Sequence, residues 1–149
     1  MRAVVQRVSQ AKVLVQDKEI SSIGRGLLAL IGVKKDDREE DVEYIANKLC
    51  HLRIFEDEQG KMNLGVKEVQ GEILLVSQFT LYGDARKGRR PSFTEAAGSA
   101  EGRELFELVA EKVSALGIRA KKGAFGEHMM VHLVNDGPCT IILDSRQLF

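Results

Sequence analysis

Two stretches of this chain are apolar with almost no interruption, and they limit its fold more than any other feature. GLLALIGV, Gly26 to Val33, and the front of GEILLVSQFTLYG, which starts at Gly71, lack the polar residue at every second position that a half-wet strand shows. Each suits a strand covered on both faces. A sheet buried on both sides needs material above and below it, and the remaining sequence can supply it. DDREEDVEYIANKLCHL predicts a helix that Asp36 or Asp37 can cap, with acidic residues in its first turn and Val42, Ile45, Ala46 and Leu49 as one stripe. A second helix is expected from about Ala100, capped by Ser99, with Leu105, Phe106, Val109, Val113 and Leu116 facing inward and Gly117 ending it.

The other segments read as strands. MRAVVQRVSQAKVLV alternates, but its apolar parity changes from Val4 and Val8 to Ala11, Val13 and Val15; a bulge near Ser9 or Gln10 would restore one buried face. Ile20 to Ile23 follow a turn at QDKE, RIFEDEQGKMNL enters a turn at Glu58 to Lys61, and HMMVHLV with CTIILD reads as a strand pair. The expected fold class is α+β, a single domain over residues 1–149 with two main helices and a mixed sheet layered between helices and more sheet.

A chain of 149 residues can bury about 70% of its unfolded surface, so it needs no disulfide or metal to hold its core. Lys plus Arg number 22, as do Asp plus Glu, so no global field draws the protein to nucleic acid or membrane, and any such attraction must be local. Cys50 and Cys139 lie far apart and outside any CxxC pattern, which predicts reduced, buried thiols in a cytoplasmic protein. The N-terminal stretch reads as a strand rather than a signal peptide, and no apolar run approaches the ~20 residues of a membrane span.

Some patterns suggest more chemistry than their surroundings support. GRGLLA, Gly24 to Ala29, has the form of a dinucleotide-binding loop, but the residues after it are strand-like rather than helical. His128 and His132 have the spacing of a helical zinc pair, which in a strand would separate them by about 13 Å. With His51 the only other histidine, neither a metal centre nor a Ser-His-Asp triad is expected, and no cofactor is either. RKGRR, Arg86 to Arg90, places four cations in five residues between Gly83 and Pro91; it reads either as a solvated charge run or as a flexible loop that grips phosphates through Arg86, Lys87, Arg89 and Arg90.

Two segments carry the candidate chemistry. In EILLVSQFTL, alternation places Ile73, Leu75, Ser77, Phe79 and Leu81 on one face and Leu74, Val76, Gln78 and Thr80 on the other, so polar groups join a buried strand only at its C-terminal end. Buried hydroxyls and amides need partners, and the cluster is either a ligand site or simply a strand leaving the core. In VNDGPCTIILDS, Asp136-Gly137 would form an ordinary hairpin turn if Pro138 did not push its predecessor toward extended conformations. A trans proline would end a strand there; a cis bond would reverse the chain and let two carbonyl oxygens point the same way, as an ammonium group would require.

SQFTL at Ser77 to Leu81 and NDGPCT at Asn135 to Thr140, together with MRAVVQRV, LRIFEDEQGKMN, KGRRPSF followed by EAA, and FGEHM from Phe125, resemble the bacterial and eukaryotic type of D-aminoacyl-tRNA deacylase over nearly the whole chain and in the family's order. Cys139 stands where that family usually has valine, and Glu127 where its pattern has alanine. The resemblance implies a β/β/α layered fold and a cytoplasmic homodimer whose site lies at the subunit interface. It also implies hydrolysis of the ester joining a D-amino acid, or glycine, to the 3′ end of tRNA. In such a family the Gly137-Pro138 bond is cis and reaches into the partner's pocket, where its carbonyls orient the α-ammonium and its backbone excludes an L side chain.

Ser77, Phe79 and Met129 would contact substrate, and the Phe79 backbone with Gln78 would stabilise an oxyanion. Thr80 is the one candidate nucleophile, but no histidine or lysine is placed in sequence to activate it, so attack assisted by the ribose 2′-hydroxyl of the tRNA is preferred. Two other classes fit the residues less fully: an RNA-binding module without catalysis, resting on the basic loop with Phe79, Tyr82 and Phe93, and an esterase for free amino-acid esters. An editing enzyme for L-alanine would share the fold but matches SQFTL less well.

Overall fold

A computed structural model describes residues 1–149. In chain order the elements are β1 (Arg2–Val15), β2 (Lys18–Ile23), β3 (Gly26–Gly32), α1 (Glu39–His51), β4 (Phe55–Glu56), β5 (Met62–Leu64), β6 (Glu72–Ser77), a 3-10 helix (Phe79–Tyr82), α2 (Ser99–Ala115), β7 (Ala120–Lys122) and β8 (Met130–Asp144). β1 is the spine. One of its edges pairs antiparallel with β3 in its first half and β2 in its second, and β8 runs antiparallel along the other edge. β6 lies parallel to β3 and β7 parallel to β6, which makes the sheet six-stranded and mixed. β4 and β5 form a separate small hairpin around the expected turn.

The two uninterrupted apolar runs are the two central strands, and their alternate residues enter different cores. Leu27, Ala29 and Ile31 of β3 and Ile73 and Leu75 of β6 face α1 and α2 in the larger core. Leu28, Leu74 and Val76 face the other way, against Val8, Ala11, Val13 and Ile23. The sheet curls to enclose this second core, and Lys121 of β7 donates to the Ser22 carbonyl of β2 at 2.7 Å across the closing gap. The fold is therefore α+β, with curled sheet on one side and the helix pair on the other. The parity change in β1 is resolved as expected: its register against β8 shifts on either side of Val8, so Val8, Ala11 and Val13 share one core.

Four local expectations need correction. The alternating faces assigned to Ser77 through Leu81 hold only to Ser77, because the Gln78 amide makes the last ladder bond, to the Ile31 carbonyl at 2.7 Å, and the chain then tightens into the 3-10 helix. The segments HMMVHLV and CTIILD are not a hairpin pair but parts of one strand, β8, both halves of which bond to β1. α1 is capped by neither Asp36 nor Asp37. Its N-cap is Arg38, whose amide donates to Asp41 Oδ2 at 2.8 Å, while Asp37 is buried and accepts from the Met1 ammonium at 2.8 Å. α2 begins at Ser99 with Gly98 as N-cap, and Leu116 lies just past its end, partly exposed; Gly117, at φ 88°, ends it as expected.

GRGLLA opens no helix. Gly26 starts β3, and a Cβ there would lie 1.8 Å from the Glu72 carbonyl oxygen, so glycine is required by the close approach of β6. Both cysteines are buried and free, and burial pushes the Cys50 thiol up to about 11, which keeps it in the unreactive thiol form.

Candidate active site

Where β6 stops, the fold opens a cavity of about 570 Å³. Ser77, Gln78 and Phe79 form one wall, Phe125 to Met129 the opposite one, and Gly98, Ser99 and Gly102 at the start of α2 close the end. Ser77 and Gln78 are half-buried, while Phe79 is 56% exposed at the rim. The position follows from the sheet: a strand whose apolar residues feed two cores runs out of core on both sides together, and its polar end is left in the gap between curled sheet and helix.

The 3-10 helix adds backbone donors. Its first residues, Phe79 and Thr80, precede the helix's own acceptors, so their N–H groups have no partner within it. Thr80 is exposed and does not line the cavity; its hydroxyl accepts from Gln78 Nε2. No histidine, lysine or carboxylate hydrogen-bonds to Thr80, so nothing within the chain activates it as a nucleophile.

The basic loop is tied to this rim. Asp84 and Ser92 exchange two backbone hydrogen bonds, at 2.7 and 2.9 Å, and close the excursion that holds RKGRR. Phe93 then packs edge-on against Phe79, with ring centroids 5.2 Å apart. The four cations are not equivalent. Arg86 grips Asp84 in a two-pronged pair, Nε to Oδ1 at 2.9 Å and Nη2 to Oδ2 at 2.7 Å, which holds the Asp84 carboxyl down at about 2. Lys87, Arg89 and Arg90 are exposed and make no ion pair.

Gly137-Pro138 is placed differently from the other candidates. The bond is cis, and both residues are exposed. Asn135 faces Val8 and Thr140 faces Gln6, so four residues, Asp136 to Cys139, stand opposite Arg7 alone and bulge from the sheet. Arg7 braces the bulge from behind. It is 7% exposed and donates through Nε to the Asp136 carbonyl at 2.8 Å and through Nη1 to the Ile54 carbonyl at 2.7 Å. Asn135 Nδ2 donates to the carbonyls of Arg7 and Cys139, both at 3.0 Å, and its Oδ1 accepts from the Cys139 amide at 3.3 Å. A Cβ on Gly137 would lie 2.3 Å from the Cys139 nitrogen. The bulge does not line the cavity of its own chain.

The sequence model of the D-Tyr-tRNA(Tyr) deacylase family matches residues 4–144. The chain belongs to that family. It is 60% identical to a D-aminoacyl-tRNA deacylase of Thermotoga petrophila and 55% identical to one of Kosmotoga olearia, in both cases over all of this chain and all of the relative. Among solved structures, a c-Myc DNA unwinding element binding protein superposes with a TM-score of 0.91 at 41% identity, covering 97% of this chain and 98% of that one.

Of the residues read from the sequence, Ser77, Gln78, Phe79 and Met129 meet in one cavity, Thr80 joins it only through Gln78, and Gly137 and Pro138 lie elsewhere on the protomer. Two contributors escaped the sequence reading. One is the start of α2, where Gly102 faces Phe125 across the end of the cavity; a glycine inside a helix was the available signal. The other is Arg7, whose only mark in the sequence was a charge at an apolar position of a strand.

Proposed function

We propose that the protein hydrolyses the ester joining a D-amino acid to the 3′ end of tRNA, releasing free D-amino acid and intact tRNA. The observation that carries this reading is the meeting of Ser77, Gln78 and Phe79 in one cavity of a chain that belongs to the deacylase family, beside the Phe79 and Thr80 N–H groups that the 3-10 helix leaves without a partner of its own. Water adds to the ester carbonyl, the bond from the carbonyl carbon to the ribose 3′-oxygen breaks, and that oxygen leaves with a proton. The Phe79 and Thr80 amides, with Gln78, receive the negative charge that develops on the carbonyl oxygen; one such donor is worth about 2.7–4 kcal/mol of barrier. Ser77 and Met129 position the aminoacyl group. Thr80 orients Gln78, and the terminal ribose 2′-hydroxyl assists the attack.

Two copies of the chain complete the site. In support, Gly137 and Pro138 project from the surface away from their own cavity, and an apolar row crosses the sheet toward it: Ile142 of β8, 55% exposed, beside Val4 of β1, then Leu30 of β3, then Val76 in the cavity wall. Seated on that row, a second copy brings its Gly137 and Pro138 carbonyls to the α-ammonium, and its side-chain-free backbone occupies the space an L side chain would need. Glycine has nothing to exclude, so glycyl-tRNA is hydrolysed as well. Lys87, Arg89 and Arg90 hold the tRNA backbone, and the enzyme works in the cytoplasm beside its substrate.

The test compares release of D-tyrosine, L-tyrosine and glycine from charged tRNA. Release of the first and third with retention of the second is expected, and equal cleavage of both enantiomers would overturn the proposal. Under single turnover, Thr80→Ala should lose less than about tenfold, in line with a positioning role; a loss of about a thousandfold with tRNA binding intact would make Thr80 the nucleophile.

A further inference from the structure

The cavity wall holds one carboxylate side chain, Glu127, and it has no partner. Among the residues that surround the cavity, apolar side chains, glycines and neutral polar groups account for all but Glu127 and the neighbouring His128. The Glu127 carboxylate forms no ion pair and no side-chain hydrogen bond with any residue of the chain, although the chain has 22 lysines and arginines to offer. Its backbone is fixed, because its amide donates to the Ala124 carbonyl at 3.3 Å and Gly126, at φ 79°, turns the chain before it. Glu127 is exposed, whereas Ser77 and Gln78 on the facing wall are half-buried. The reacting ester belongs with the half-buried groups, and the exposed Glu127 lies at the rim, where a group extending away from the ester can meet it.

We propose that Glu127 is a specificity-determining residue that biases the enzyme toward D-aminoacyl groups with a cationic side chain, such as D-lysine or D-arginine, and against those with an anionic one. This rests on the deacylase reading of the cavity. A carboxylate facing a wall of neutral groups attracts a passing ammonium or guanidinium and repels a carboxylate, and no lysine or arginine of the chain pairs with it. Because Glu127 is solvated, the effect is the modest one of an exposed pair, about three- to fivefold in rate between a cationic and a neutral side chain of equal length. The α-ammonium, common to all substrates, does not produce such a difference.

The experiment charges one tRNA body with D-lysine, D-norleucine or D-glutamate and measures kcat/KM for release of each. The native enzyme should rank them lysine, norleucine, glutamate. Glu127→Gln should bring lysine and norleucine to within a factor of about 1.5, and Glu127→Lys should reverse the order, with the norleucine rate retained in both as the sign of an intact fold and site. Raising salt should shrink the native lysine-to-norleucine ratio as well. Equal native rates for lysine and norleucine, or a ratio untouched by either substitution, would overturn the proposal while leaving the deacylase reading in place. Failure of the native enzyme to release even D-norleucine would overturn both.

Discussion

Arg7 is the one buried cationic side chain, and its two carbonyl contacts join the Gly137-Pro138 bulge to the segment after α1. Removing the guanidinium leaves the Asp136 and Ile54 carbonyls without their donor in a place water reaches poorly. Arg7→Met should therefore cost about 3 kcal/mol in a urea titration and lower D-ester release beyond what the stability loss explains. Asp84 supplies a prediction in pH. Its carboxyl is held at about 2 by Arg86, so the pair's contribution to folding is complete above the ordinary carboxylate value of ~3.9 and is lost as pH falls through about 2. Both groups are solvated, so little stability is at stake, but the titration is readable: carboxyl NMR should give a midpoint near 2 in the native chain and a return toward ~3.9 in Arg86→Ala. SQFTL and NDGPCT were legible at this scale because a polar end on a buried strand and a proline in a turn break local rules. Arg86's capture by Asp84 was not, since nothing two residues away in a loop fixes which partner a flexible cation takes.

At the scale of elements, β3 and β6 could be read directly because their runs feed both cores and leave no choice of face. Their contact is tight enough to test. Gly26→Ala would drive a methyl group into the Glu72 carbonyl, and the strands must part or the turn before β3 must shift, at about 3 kcal/mol by urea unfolding. The ends of elements were less legible. β6 stops at Ser77 because Ile31 is the last residue of β3 with a carbonyl to offer, a fact about the neighbouring strand rather than about SQFTL. β8 continues through Gly137-Pro138 because β1 is long enough to receive it on both sides of the bulge, so the turn signal in NDGP interrupts the ladder without reversing the chain. Asp37 looked like a helix cap in sequence; the Met1 ammonium, brought alongside by β1, claims it instead.

For the whole molecule, the apolar row from Ile142 to Val76 predicts the oligomeric state. Ile142→Lys should shift the sedimentation coefficient from that of a dimer to that of a monomer and reduce D-ester release at least tenfold, with far-UV circular dichroism unchanged. A monomer of unchanged activity would show that one chain is enough. No sequence pattern announced this row, because Val4, Leu30 and Ile142 come from three strands and become neighbours only through register. The role of β1 as spine also bears on synthesis. Its outer edge, along a strand of 14 residues, is covered only by β8, which begins more than a hundred residues later at Met130. On the ribosome that edge stays open until almost all of the described chain has emerged, so a stalled or truncated product would carry a long unsatisfied ladder able to recruit strands from other chains. Completion of the fold thus waits on the same strand that carries the Gly137-Pro138 bulge, and a chain able to fold has already acquired that feature.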